Sequence, residues 1–220
     1  MHKTVKNLIN IQNLIKSKQS VIKGENLIPQ IIAVSKTFKI DHISPLIEHG
    51  HTDYGENKVQ EAIQKWSEIK SKNDKLKLHL IGNLQTNKVK MALKLFDFIH
   101  SLDSEKLAKK ISDEQKKQNI RPKLFIQVNI GNELQKNGIH IKKLGEFSAL
   151  CHELNLNIVG IMCIPPINED PTISFLRMNY LKKKFKFKEL SMGMTSDYLI
   201  ALKYNASYLR IGSGIFGQRK

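Results

Sequence analysis

The sequence predicts an α/β protein built as a single (β/α)8 TIM barrel with an extra N-terminal helix. Three observations point there: short β-branched runs alternate with amphipathic stretches, eight such units fit in 220 residues, and no linker or repeat divides them. Strands alternating with helical patterns form parallel sheets covered by helices. Eight units in a chain of this length match the smaller closed barrels. The runner-up, an open doubly wound sheet, lacks the GxGxxG turn that normally follows its early strand. One domain over 1–220 is the expectation.

Taken in order, Val5, Leu8, Ile9, Ile11, Leu14 and Ile15 fall at helical spacing and predict a helix before the first strand. Val21 to Leu27 reads as a weakly patterned connection. Ile31, Ile32, Ala33 and Val34 form a continuous apolar run, which suits a strand buried on both faces. A helix over 40–49 is closed by Gly50. A short strand over 52–55 leads to Glu56-Asn57 and a helix carrying Val59, Ala62, Ile63, Trp66 and Ile69. Leu76 to Ile81 is the third strand, 89–95 a helix, and 96–100 the fourth strand. Ser104 is placed to cap the helix that follows.

Leu124 to Ile130 is the clearest strand. A helix over 141–154 and a strand over 158–164 follow, ended by Pro165-Pro166. A helix over 172–185, a strand over 189–192, a helix over 196–204 and a last strand over 208–211 complete the pattern. Glycines at 193, 212, 214 and 217 crowd the C-terminal region.

Composition narrows the function. No stretch approaches the ~20 apolar residues of a membrane span, and the N-terminus lacks the apolar centre and cleavage site of a signal peptide. Cys151 and Cys163 are far apart and form no CxxC pair, which fits a reducing cytoplasmic setting without metal. The net charge of +16 raises nucleic acid as a partner. The positive charge is nearly all lysine, spread along the chain, and the arginines are Arg121, Arg177, Arg210 and Arg219. Nucleic-acid recognition favours the arginine fork, so the charge reads as a solvated surface that draws in anionic ligands.

Lys36 stands where the first strand should end. An amine leaving a dry core has its ammonium form disfavoured, and a neutral amine attacks carbonyls to form Schiff bases. The plain alternative is a lysine that snorkels over a strand end. Barrel active sites lie at the C-terminal strand ends, with phosphate often held after the seventh and eighth strands. Here those turns are Ser191-Met192-Gly193-Met194-Thr195 and Arg210-Ile211-Gly212-Ser213-Gly214. Glycine admits backbone N–H groups close to an anion, hydroxyls add donors, and Arg210 adds charge. The same glycines also suit plain tight turns. Asn57 follows the second strand, where its amide can bond a ring hydroxyl or cap a helix. His79 and His100 read as structural, and Asn83, Gln85 and Asn87 as loop caps.

An ordered set of segments carries a resemblance. These are Ala33-Val34-Ser35-Lys36-Thr37, Gly55-Glu56-Asn57-Lys58, His79 through Lys88, and Gln127-Val128-Asn129 with Glu133, Lys136 and Gly138. Gly160 through Pro165, Leu190 through Asp197 and Arg210 through Arg219 complete it. The sequence resembles the pyridoxal phosphate homeostasis protein (YggS/PROSC) family, whose members look like the isolated N-terminal barrel domain of alanine racemase. The resemblance implies pyridoxal 5'-phosphate (PLP) held as a Schiff base on Lys36. It implies a phosphate gripped by the Ser191–Thr195 and Arg210–Ser213 loops, through Ser191, Gly193, Thr195, Gly212 and Ser213. The racemase-like pattern instead sets Arg210 by the pyridine nitrogen, and both roles stand open. Thr195 replaces the family's usual serine and keeps the hydroxyl. Cys163 stands where alanine is common.

The resemblance implies a PLP-binding role in vitamin B6 balance without catalysis. Racemisation needs a base on each face of a planar intermediate, and in alanine racemase the second base is a tyrosine from another domain. A weak racemase-like enzyme, a cofactor-free aldolase using Lys36, and a nucleic-acid binder are the competing readings. The expected partners are PLP and PLP-dependent apo-enzymes, with no nucleic acid and no membrane, for a cytoplasmic monomer.

Overall fold

The computed structural model describes residues 1–19, 28–133 and 137–218. The expected connection over Val21 to Leu27 lies outside these residues. The described elements run α1 (Lys3–Gln19), β1 (Gln30–Val34), α2 (Ile40–Glu48), β2 (Asp53–Glu56), α3 (Val59–Lys72), β3 (Lys77–Leu80), α4 (Val89–Leu95), β4 (Phe98–Leu102) and α5 (Glu105–Gln118). They continue with β5 (Lys123–Asn129), β6 (Ile139–His140), α6 (Leu144–Glu153), β7 (Ile158–Met162), α7 (Pro171–Lys184), β8 (Glu189–Met194), α8 (Tyr198–Lys203), β9 (Tyr208–Ile211) and α9 (Ser213–Phe216).

The strand order is β4-β3-β2-β1-β9-β8-β7-β5, and β4 also pairs with β5. That last pairing closes a barrel of eight parallel strands. β6 is a two-residue addition beside the end of β5. The (β/α)8 architecture with a preceding helix is the one the sequence predicts.

Two apolar layers follow from the two-residue strand period. In β1, Ile31 and Ala33 join the main core between sheet and helices, whereas Ile32 and Val34 fall outside that cluster. A Cβ on Gly55 would stand 2.9 Å from Ile32 and 3.5 Å from Val34, which puts all three inside the barrel. A second cluster of Phe98, Phe125 and Met162 also fills the interior. α1 buries Val5, Leu8, Ile11 and Ile15. It packs against α9 and α2, and Asn7 Nδ2 donates to the Ile215 carbonyl at 2.9 Å.

Several boundaries differ from expectation for local reasons. β4 starts at Phe98 rather than Phe96, because the Phe96 N–H bonds the Ala92 carbonyl and closes α4. α8 starts at Tyr198, because Asp197 Oδ1 accepts from the Met194 N–H at 2.5 Å and folds residues 194–197 into a turn. β8 runs on to Met194, and Gly193 sits inside it at φ +89°. The β8–β9 register shifts between Ser191 and Met194. That is a bulge, which left-handed glycine accommodates. Ser104 caps α5 by accepting from the Leu107 N–H, as expected.

Candidate functional site

The C-terminal ends of β1, β2 and β9 meet at one rim. Ala33 is level with Tyr54 on one side and Ile211 on the other, so the residues just beyond emerge side by side. Lys36, Asn57, Gly212 and Ser213 therefore converge. With Thr195, Ser196 and Arg210 they line an open cavity of about 540 Å³, walled by Val34, Ile81 and Ile164. That volume is ordinary for a small-molecule site. Of the described residues lining it, none carries a carboxylate, and Lys36 and Arg210 are both basic. The lining therefore favours an anion.

The two glycine turns are tied together. The Gly214 N–H donates to Thr195 Oγ1 at 3.2 Å, so the loops after β8 and β9 share one wall. Gly82 is held to glycine by a close approach: a Cβ there would stand 2.3 Å from the Asn57 carbonyl oxygen. Asn57 Oδ1 is buried with no hydrogen-bond partner among the described residues. An orphaned acceptor in a cavity wall is placed to take a hydrogen bond from a ligand hydroxyl.

Ser191 and Gly193 lie off this cavity. A Cβ on Gly193 would meet Ala201 of α8 at 2.7 Å, so the residue faces the helix layer. Ser191 is fully buried in the barrel. Its Oγ accepts from Arg210 Nη1 at 2.6 Å and lies 2.9 Å from His100 Nδ1. Arg210 Nη2 donates to the Cys163 carbonyl at 2.8 Å. The guanidinium is thus held on the cavity floor from beneath. Lys136 and Arg219, part of the motif set, lie outside the described residues.

The network beneath Arg210 crosses the barrel. His100 Nε2 is 3.0 Å from His79 Nδ1, and His79 Nε2 is 3.0 Å from Asp53 Oδ1. Asp53 Oδ2 accepts from Gln30 Nε2 at 2.7 Å and Thr52 Oγ1 at 2.6 Å. A carboxylate only accepts and a guanidinium only donates. Burial keeps both imidazoles neutral, and with neutral rings these two ends leave one direction for the chain. Arg210 donates to Ser191, Ser191 to His100 Nδ1, His100 Nε2–H to His79 Nδ1, and His79 Nε2–H to Asp53.

Burial pushes the pKa of His79 down, with Asp53 opposing, and pushes His100 well down with His79 and Arg210 adding to it. Burial alone would raise Asp53, but hydrogen bonds from His79 and Thr52 hold its pKa below the usual range. His79 stacks on Phe98 at 4.2 Å between ring centroids, and His100 on Phe125 at 4.3 Å. The histidines are structural, as the sequence suggests, and they also join Arg210 to Asp53. Sequence reasoning missed the link because it needs the register of β3, β4 and β8. The available signal was that each histidine sits within a strand run.

A fold and site of this kind define the class of racemase-type barrels, and residues 7–220 match the family model of the alanine racemase N-terminal domain. Alanine racemase of Clostridium difficile 630 shares the fold with a TM-score of 0.72 at 15% identity, over 99% of this chain and 57% of that one. The pyridoxal phosphate homeostasis protein of Aquifex aeolicus (strain VF5) is 34% identical over 96% of this chain and 95% of its own. PipY of Synechococcus elongatus PCC7942, solved with PLP bound, is 30% identical with a TM-score of 0.84, over 97% of this chain and 100% of that one. The chain belongs to the pyridoxal phosphate homeostasis protein family.

Proposed function

We propose that the protein binds PLP as a Schiff base on Lys36 and serves intracellular vitamin B6 homeostasis without catalysing turnover. One observation carries this reading: a primary amine, a guanidinium, three hydroxyl residues and a glycine turn line one cavity that holds no carboxylate among its described residues. The residues fit the cofactor. Lys36 Nζ, when neutral, attacks the aldehyde carbon; the C=N bond forms and the carbonyl oxygen leaves as water. Thr195, Gly212 and Ser213 supply hydroxyl and backbone donors for the phosphate. Asn57 Oδ1, buried and unpartnered among the described residues, suits the ring hydroxyl. When bound, PLP supplies an electron-withdrawing ring, and Arg210 on the cavity floor either faces the pyridine nitrogen or adds charge toward the phosphate.

The non-catalytic part of the reading rests on bases. The described residues lining the cavity include no histidine, tyrosine or carboxylate. Racemisation asks for a base on each face. Holding the cofactor at an open rim suits storage or delivery to PLP-dependent apo-enzymes. Among the described residues no helix is long and apolar enough to cross a membrane. Cys151 and Cys163 are buried thiols, and burial pushes both up to about 12, which suits a reducing cytoplasm. The reading takes the chain as one barrel domain over 1–220, acting as a monomer.

A visible spectrum tests the function. Protein mixed with PLP and freed of excess should keep an imine absorption band that Lys36→Ala abolishes. A native protein that stays colourless overturns the reading. Lys36-dependent deuterium exchange at the α-carbon of an amino acid would overturn the non-catalytic part alone.

A further inference from the structure

Lys36 is followed by a backbone conformation that threonine rarely adopts. Thr37 lies at φ +69°, in the left-handed region. A β-branched side chain is disfavoured there, so the surroundings must hold it. The Phe38 N–H closes a tight turn onto the Ser35 carbonyl at 3.1 Å, with Thr37 at its third position, and α3 braces that turn from outside. The Thr37 N–H donates to Glu61 Oε1 at 2.9 Å.

One turn further along the same helix face, Lys65 Nζ donates to the carbonyl of Ser35 at 3.0 Å and lies 3.5 Å from Glu61. The residue before Lys36 and the residue after it are therefore both tied to one helix. Beneath this pair, Glu56 Oε1 accepts from Ser35 Oγ at 2.7 Å, Trp66 Nε1 at 2.9 Å and Lys65 Nζ at 3.0 Å. Glu56 is fully buried and the Lys65 side chain is 10% exposed, so the base of the clamp is dry. Glu61, at 31% exposed, is its outer arm.

β1 ends at Val34, and the Ser35 N–H makes one further bond to the Gly55 carbonyl of β2 at 2.9 Å before the chain turns away. Glu61 and the Lys65 bond to Ser35 act on the segment that carries the amine, while Glu56 joins α3 to β2. Lys36 itself reaches the cavity from between the two anchored residues.

We infer that Glu61 and Lys65 are positioning residues for Lys36, and that Glu61 acts by holding Thr37 in the left-handed conformation that aims the amine into the cavity. This rests on the reading of Lys36 as the PLP-binding lysine. Pre-organising a reacting group speeds its reaction by removing the search for the right geometry. The predicted phenotype is therefore slow capture of PLP rather than loss of the fold. Glu61 is partly exposed and Thr37 exposed, so both tolerate substitution.

The experiment uses four full-length variants beside the wild type: Glu61→Ala, Glu61→Gln, Thr37→Gly, and Thr37→Gly with Glu61→Ala. The first readout, taken without PLP, is hydrogen exchange of the residue 37 amide. Glu61→Ala should speed it about fivefold, the worth of one net hydrogen bond, and Glu61→Gln, which keeps an acceptor, should not. The second is the rate at which PLP produces the imine band. Glu61→Ala should slow it about fivefold or more with an unchanged unfolding midpoint, and Glu61→Gln should recover most of the rate.

Glycine enters the left-handed region without strain, so the Glu61→Ala effect should shrink in the Thr37→Gly background. Wild-type capture rates in Glu61→Ala, or an equal effect of Glu61→Ala in both backgrounds, overturn the inference. A wild type that never captures PLP instead overturns the reading beneath it, and the role assigned to Glu61 falls with it. The exchange data then still report whether Glu61 holds Thr37.

Discussion

Arg210 Nη1 donates to Ser191 Oγ at 2.6 Å inside the barrel, directly beneath the cavity that Lys36 enters. The arginine is anchored by β8 and β7 while its own strand presents it upward. An aimed cation on a cavity floor is a fixed electrostatic element, in contrast to a surface lysine whose charge moves with its stem.

Ser191→Ala should loosen that anchor. It leaves His100 Nδ1 without its donor and Arg210 Nη1 without its acceptor, both buried. The unfolding free energy should fall by about 2–3 kcal/mol, measured by denaturant titration. PLP affinity should fall as well. An unchanged midpoint would mean that the network carries no net stability.

The neutral histidines give stability a definite pH dependence. Their folded pKa values lie below the ordinary 6.5, so on acidification the unfolded chain takes up protons that the folded protein refuses. Stability is full above that value and falls as pH drops, by about 1.4 kcal/mol per unit for each such histidine. Asp53, with its pKa held below 3.8, contributes in full above the ordinary value and loses that contribution as pH falls from there through its folded value. Unfolding midpoints compared at about pH 7 and about pH 5 should show the drop. His100→Phe should flatten the slope; an identical slope would contradict the assignment.

Glu56→Gln should destabilise by about 3 kcal/mol. The carboxylate is the counter-charge of Lys65 at 3.0 Å and the common acceptor for Ser35 and Trp66. Denaturant unfolding followed by Trp66 fluorescence measures it, and a neutral outcome would show that the buried pair adds nothing.

Thr195→Val removes the acceptor of the Gly214 N–H and a hydroxyl facing the cavity, with little change in volume. Affinity for PLP should drop several-fold, an effect near 1 kcal/mol. Affinity for pyridoxal, which has no phosphate, should stay put. Equal losses for both would place the phosphate elsewhere. Thr195→Ser should match the wild type.

Much of the barrel was legible in residue pattern. The apolar run Ile31–Val34 betrays a strand buried on both faces, and Val89–Leu95 and Tyr208–Ile211 coincide with observed elements. Phe96 misleads because an apolar residue can cap a helix or open a strand, and only its bond to Ala92 decides. Gly193 reads as the end of a strand, whereas it is a bulge within one.

The cavity was legible in part, since Lys36, Asn57, Thr195, Arg210, Gly212 and Ser213 sit near strand ends that barrel closure brings together. The polar chain below was not. His79 meets His100 across 21 positions, and His100 meets Ser191 across 91. Such pairs depend on strand register and on inward facing, which a lone histidine in an apolar run does not disclose. The clamp on Lys36 was hidden too, because the left-handed backbone of Thr37 has no signature in a β-branched residue.

The most direct measurement is chemical trapping. Protein loaded with PLP is reduced with borohydride, digested, and mapped by mass spectrometry. The account predicts one reduced pyridoxyl-phosphate adduct, on the peptide containing Lys36, and none in Lys36→Ala. An adduct spread over surface lysines, or one that persists on other lysines in Lys36→Ala with equal yield, would contradict it.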